Sequence, residues 1–379
     1  MGFTGFTLVM PFLPLFIRQL GVTDVGQIAV WTGLSLGITP ALTALLSPFW
    51  GRLADRFGRR LMAGRSLAAC LLTMVAMSFV TAPWQVVALR GVLGLLTGYG
   101  GLMLTMAAES SPPATVGASI GMVQTAQRLG PTVGPVIGGV LAGLFGLRRA
   151  FLITAGLYGI ALILLFALYD ERATHAVPAR NEERGRLSVR EAFILPNFAL
   201  LMAVLFCCNF VERSFGPILP LYMEQLGVRS GRVAFGAGLL FSMVALAGAV
   251  GHHTAGKMLV HRRPRVIITV GAPGAATGSV LMAGALNVWM LGVAAAVFGT
   301  SVGIATTATY AAAAKVIPSG AHATGFGVLT SASLSGLAVS PVVSGLIGAT
   351  GMRVVFSVNV VIMAILAFSV RGRMADAGS

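Results

Sequence analysis

Twelve long apolar stretches follow one another along this chain. Each is close to the ~20 residues that an α-helix needs to cross a bilayer. They lie near residues 2–20, 26–50, 61–82, 84–107, 115–144, 149–169, 197–225, 231–254, 265–284, 288–313, 321–348 and 353–370. Only 10% of the 379 residues are charged, against about 25% in a soluble domain. The pattern predicts an all-α integral membrane protein with twelve transmembrane helices, and it excludes soluble, disordered and disulfide-rich classes. Glycine and proline run through the stretches, with 49 glycines in all. Membrane helices tolerate this where neighbours satisfy the backbone, whereas a soluble helix of that composition would be poor. Trp31, Trp50, Trp84 and Trp289 fall near the stretch ends, where an aromatic belt would put them.

The net charge of +15 would suggest nucleic acid in a soluble protein. Here its placement matters more than its sum. With the N-terminus inside, 17 Lys and Arg fall in cytoplasmic connections and the tail, and 6 fall on the other face. Arg90, Arg128 and Arg213 lie within the spans. This asymmetry predicts two cytoplasmic termini and needs no nucleic-acid partner. The polar stretch about Asp170–Arg190 divides the chain into six spans and six spans. The expected organisation is a six-helix bundle over 1–169, a cytoplasmic linker over 170–195, and a second six-helix bundle over 196–379. Cys70, Cys207 and Cys208 sit in apolar runs and read as small buried hydrophobes.

The two halves repeat. Residues 11–22 (PFLPLFIRQLGV) and 217–228 (PILPLYMEQLGV) share eight of twelve positions at an offset of 206. GPVIGG at 134–139 and SPVVSG at 340–345 show the same offset. Such a parallel duplication yields two pseudo-symmetric bundles with a substrate site between them near the midplane. Span 7 begins about ten residues earlier in its half than span 1 does. The expectation is therefore that Met1 is not the true start, or that the sequence is clipped. A positive n-region is missing, so no cleavable signal peptide is expected.

Two strings stand out physically. Between spans 2 and 3 runs Gly51-Arg-Leu-Ala-Asp55-Arg56-Phe-Gly58-Arg59-Arg60. Gly51 and Gly58 allow a tight turn and close helix approach. Asp55 can accept hydrogen bonds from a neighbouring helix N-terminus, and the arginines can pair with acids or lipid phosphates. In span 5, Gly130, Gly134 and Gly138 recur every four residues beside Gly139, forming a smooth packing face. Pro131 and Pro135 permit a bend there.

With these residues in place, the chain resembles the major facilitator superfamily over essentially its whole length. That family carries a G-x-L-a-D-r-x-G-r-r string in the loop between spans 2 and 3. The resemblance implies a cytoplasmic gate at Gly51, Asp55, Arg56, Gly58 and Arg59, with Asp55 and Arg56 clasping the other half. The second-half counterpart, Gly256 to Arg263, lacks the matching acid. The span 5 string is similar to the G-P-x-x-G-G motif of the drug/proton antiporter branch, associated with export. By that likeness span 5 packs against span 8 as a hinge or seal. Arg90 and Gly94 are similar to the branch's R-x-x-x-G, where the arginine is linked to proton handling, although Leu93 replaces its usual glutamine. Pro11-Phe-Leu-Pro14 is similar to the P-x-x-P of twelve-helix bacterial multidrug exporters.

Of eleven acids, Glu212 alone sits deep in a span. Span 1, where some antiporters keep a carboxylate, has none. Competition of proton, arginine and substrate for this one carboxylate would couple export to proton uptake. Arg213, Arg128 and Arg90 are the candidate partners. Gln124, Gln127, Asn209, Thr306 and Tyr310 are candidates for cavity polar groups. His252 and His253 read as a snorkelled pair at the cytoplasmic end of span 8. Three intramembrane arginines against one glutamate argue mildly for anionic or zwitterionic cargo. No metal-ligand cluster and no phosphate-cradling motif occurs, so neither metal nor cofactor is expected. The expectation is a proton-driven exporter of drugs or other small molecules, not an enzyme. It would work as a monomer by alternating access in the bacterial inner membrane. The alternative is a transporter of one small, anionic metabolite on the same scaffold. A third reading is a membrane sensor or scaffold without a transport cycle.

Overall fold

The computed structural model describes residues 7–97, 103, 106, 116–169, 193, 195–318 and 322–374. Among them the ordered structure is helical, and each of the twelve apolar stretches contains a helix. In chain order these are α1 (Leu13–Gln19), α2 (Val25–Phe57), α3 (Arg59–Ser78), α4 (Pro83–Leu96), α5 (Val116–Phe145) and α6 (Leu147–Leu168). Then come α7 (Phe198–Ser214), α8 (Leu219–Gln225), α9 (Ser230–Met258), α10 (Pro264–Ala283), α11 (Val288–Val316), α12 (His322–Thr350) and α13 (Met352–Arg373). Eight of the described helices are long and apolar enough to cross a membrane, and α7 with α8 makes a ninth. The predicted linker, 170–195, lies almost wholly outside the described residues.

Span 7 is broken rather than continuous. α7 and α8 meet at an angle of 47° across Phe215–Ile218. The cause is local: Pro217 and Pro220 bring no N–H to the helix ladder, and a mid-helix proline clashes with the preceding turn. Span 1 breaks at the matching place, where Pro11 lies within a 3₁₀ turn over Met10–Phe12 and Pro14 in the first turn of α1. Gly21 and Gly227 close the two segments with φ of 97° and 84°, a left-handed conformation that glycine adopts without a Cβ penalty.

The chain packs as two compact units. One comprises Met1–Arg180 with Arg229–Ser242, the other Asn181–Val228 with Met243–Ser379. The first unit therefore takes in the N-terminal half of α9, which the sequence assigns to the second bundle. Small residues explain this. A Cβ on Gly139 would come within 2.5 Å of the Ala234 carbonyl, and one on Gly238 would strike the Pro135 carbonyl. α5 and α9 thus touch backbone to backbone.

Inside each unit the same helix contacts recur. α3 packs along α6, and its counterpart α10 packs along α13. Gly94 of α4 seats on the Thr39 carbonyl, where a Cβ would lie 2.6 Å away. At matching positions Gly299 of α11 seats on the Val244 carbonyl, at 2.5 Å. Arg60 donates to the carbonyl of Phe166, and Arg265 donates to that of Arg371, each bond joining residues 106 apart. The duplication therefore extends from sequence to individual contacts.

Candidate functional site

In the first unit Arg90 is fully enclosed, with 0% of its surface exposed. It comes from α4 and points at α2, where its Nε donates to the Ser35 carbonyl at 3.1 Å. Its own carbonyl accepts the Thr39 hydroxyl at 2.8 Å. Tyr158 of α6, also buried, is hydrogen-bonded to Cys70 and interacts electrostatically with Arg90. A guanidinium so placed is costly in an apolar bundle unless polar groups meet it, and here the Ser35 carbonyl and the Tyr158 phenol do so. At the offset of 205 that also pairs Gly94 with Gly299, the matching residue in the second unit is Ala295, equally buried. The helix pair therefore closes without an arginine when the sequence omits one.

In the second unit Glu212 and Arg213 occupy the last turn of α7, immediately before the break. Both are half-buried. Glu212 lies one turn from Cys208 and interacts with it, and the Cys208 thiol is hydrogen-bonded to Thr306 of α11. Cys208, Glu212 and Thr306 therefore share one face. Asn209 instead donates to the Leu205 carbonyl of its own helix at 2.9 Å. Tyr310, one turn beyond Thr306, lies with its ring 6.3 Å from that of Phe326.

The break is fixed from several sides. The Ser340 hydroxyl of α12 donates to the Phe210 carbonyl. Asn359 of α13 donates to the Ser214 hydroxyl at 2.6 Å. Tyr222 of α8 donates to the Met282 carbonyl at 3.0 Å. Glu212 is thus carried on a rigid helix end, where a helix is interrupted inside a span.

One residue has a place the sequence did not foretell. His252 and His253 separate: His253 is exposed, while His252 Nδ1 lies 2.7 Å from the Thr307 hydroxyl of α11. The two histidines therefore do not act as a pair. The missed partner of His252 lies 55 residues away, beyond the reach of local pattern.

The gate string is partly described. Gly58 turns the chain between α2 and α3 with φ of 91°. Arg56 is exposed, with its guanidinium 5.4 Å from the Phe57 ring. Arg59 is half-buried in the first turn of α3. Arg65 stacks at 3.5 Å on the Trp50 ring, whose Nε1 donates to the Leu95 carbonyl. Gly51 and Asp55 are helical, but their side-chain surroundings lie outside the described residues, as do those of Gln124, Gln127 and Arg128. In α5, Gly130 receives the Thr7 hydroxyl on its carbonyl at 3.0 Å, and Gly138 sits against the Leu8 backbone. Pro131 and Pro135 lie within this helix, and Gly134 and Pro135 are buried.

Comparison with known proteins adds relatives named for multidrug resistance. Multidrug resistance protein MdtG of Proteus mirabilis is 31% identical over 258 residues, covering 67% of this chain and 63% of that protein. MdtG of Erwinia billingiae is 36% identical over 259 residues, covering 67% and 62%. MdtG of Salmonella paratyphi C is 33% identical over 270 residues, covering 70% and 66%. The matched region thus spans less than two thirds of these relatives' own length.

Solved structures share the fold at low identity. A bacterial homologue of the human lysosomal transporter Spinster, inward-facing and unoccupied, superposes with a TM-score of 0.82 at 17% identity. That match covers 100% of this chain and 95% of the homologue. A mutant of the nucleoside transporter NupG gives 0.76 at 15% identity, covering 98% of each chain. Residues 1–332 match the Major Facilitator Superfamily as a family. The chain belongs to the Major Facilitator Superfamily.

Proposed function

We propose that this protein is a proton-coupled exporter of small molecules that works by alternating access, with Glu212 as the proton-carrying group. The observation that carries the reading is the position of Glu212. It is an ionisable residue inside a membrane span, on the last turn before a break, sharing a face with Cys208 and Thr306. Ionisable groups within spans are costly and are kept for function, and interrupted helices are where transporters of this kind bind ions and substrates. Export, rather than uptake, is supported by likeness to proteins named for multidrug resistance. The span 5 glycine–proline string supports it too, with Gly139 seated on α9.

Arg90 supports the same reading. Its counterpart Ala295 is buried without an arginine, which supports a role for Arg90 beyond packing. Gly51, Asp55, Arg56, Gly58 and Arg59 form the cytoplasmic gate. Arg213, Arg128, Gln124, Gln127, Asn209 and Tyr310 supply the polar lining of the pathway. The proton gradient is the energy source, the chain acts as a monomer, and both termini face the cytoplasm of a bacterial cell. The metabolite alternative rests on an excess of intramembrane arginine. The complete enclosure of Arg90 removes one of those three charges from any cargo-facing tally, which weakens the case for an anionic cargo.

The test uses everted membrane vesicles holding the full chain, energised to be acidic inside, with a fluorescent reporter of ΔpH. Lipophilic cations, neutral drugs and small anionic antibiotics are added one at a time. Dissipation by several unrelated compounds is the expected result. Response to a single anionic class would replace this reading with the metabolite one. Binding of these compounds without any response would favour a sensor or scaffold.

A further inference from the structure

A cavity of about 570 Å³ lies between α10 and α13 of the second unit. Arg263, Arg265 and Arg371 line one part of it, and Thr269, Pro273 and Phe368 line the rest. The arginines share one end, because Arg263 caps the start of α10 and Arg371 lies in the last turn of α13. Pro273 lies ten positions beyond Arg263, which is about 15 Å along a helix axis, or half the hydrocarbon thickness. The floor has little to offer a polar ligand. Thr269 spends its hydroxyl on the Val266 carbonyl at 2.8 Å, Pro273 has no N–H, and Phe368 is 80% exposed. None of the described lining residues is acidic.

In the first unit an aromatic ring occupies the matching place. There Phe166 stands where the second unit has Arg371, and Gly64 where it has Thr269. The Phe166 ring lies directly over Gly64, 2.6 Å from where a Cβ would be, and 5.3 Å from the Arg60 guanidinium. The chain thus plugs the first site with its own aromatic ring. In the second, the ring is exchanged for a third arginine and the space is left open.

We infer that this cavity is a binding site for an anionic phospholipid. The headgroup phosphate sits among Arg263, Arg265 and Arg371, and an acyl chain runs along Thr269, Pro273 and Phe368. Guanidinium forks match phosphate oxygens, and basic pockets between membrane helices suit anionic headgroups. A free phosphate would use the arginine end alone and leave the apolar floor uncovered. The site is independent of the proposed export cycle.

The test is native mass spectrometry of the full chain in detergent, with phosphatidylglycerol, cardiolipin or phosphatidylcholine added. The two anionic lipids are expected to be retained over phosphatidylcholine. Each arginine removed should lower their retention about fivefold. Arg371→Gln keeps the main-chain carbonyl that Arg265 uses, so it removes charge without removing that bond. Ala367→Trp fills the groove and keeps every charge, and it should also release lipid. The Arg353→Gln variant removes equal charge elsewhere and should retain it. The inference is overturned if this last variant loses lipid equally, if Arg371→Gln and Ala367→Trp retain it, or if inorganic phosphate at lipid concentration displaces it.

Discussion

Arg90 and Ala295 hold matching positions in the two units, yet one is a fully buried cation and the other a methyl group. The contrast separates packing from function. If the arginine only closed the α2–α4 pair, its counterpart would be expected to need one too. Arg90→Met is therefore expected to reach the membrane and stay folded while losing proton-coupled transport. Thermal unfolding and ΔpH dissipation, measured on the same preparation, check this. Loss of fold in that variant would make Arg90 a structural clamp. The residue scale is also where sequence reasoning stops short. An arginine inside an apolar run is visible as an anomaly, but its neighbours Ser35 and Tyr158 lie 55 and 68 residues away. Which face it takes is decided by helix packing, not by the run itself. His252 is missed for the same reason.

At the scale of elements, helices are held where glycine lets backbones touch and broken where proline removes a donor. A leucine at Gly139 or Gly238 would be forced into the facing carbonyl. Overpacking of this kind costs about 1–3 kcal/mol. Gly139→Leu is expected to lower the melting temperature and to depress transport, and a matched lipid-facing change at the exposed Gly143 should do neither. The break in span 7 supports a second prediction. Tyr222→Phe removes one buried bond to the Met282 carbonyl and should cost about 0.6 kcal/mol in a membrane bundle. Calorimetry of the purified protein reads this directly. Hydropathy locates span 7 but hides its break, because Gly216, Pro217 and Pro220 sit in an unbroken apolar stretch. The proline pair repeated in span 1 is the signal that could have shown it.

For the whole molecule, the duplication was the most legible feature. The shared PxLPL–QLGV strings foretold matching halves, and the structure carries the match down to Arg60 with Phe166 and Arg265 with Arg371. The domain boundary was less legible. The N-terminal half of α9 packs with the first unit through Gly238, a contact between backbones that sequence spacing alone could not assign. The lysine and arginine distribution predicts that a cytoplasm-active fluorescent reporter glows when fused after Ser379 and stays dark when inserted beside Gly227. The opposite pattern would invert the proposed orientation.

The most direct test of proton-coupled export places purified protein in liposomes with an imposed substrate gradient and follows internal pH. Substrate should drive proton movement in the native protein and none in Glu212→Gln, while the variant still binds substrate. Proton movement of native size in Glu212→Gln would contradict the account.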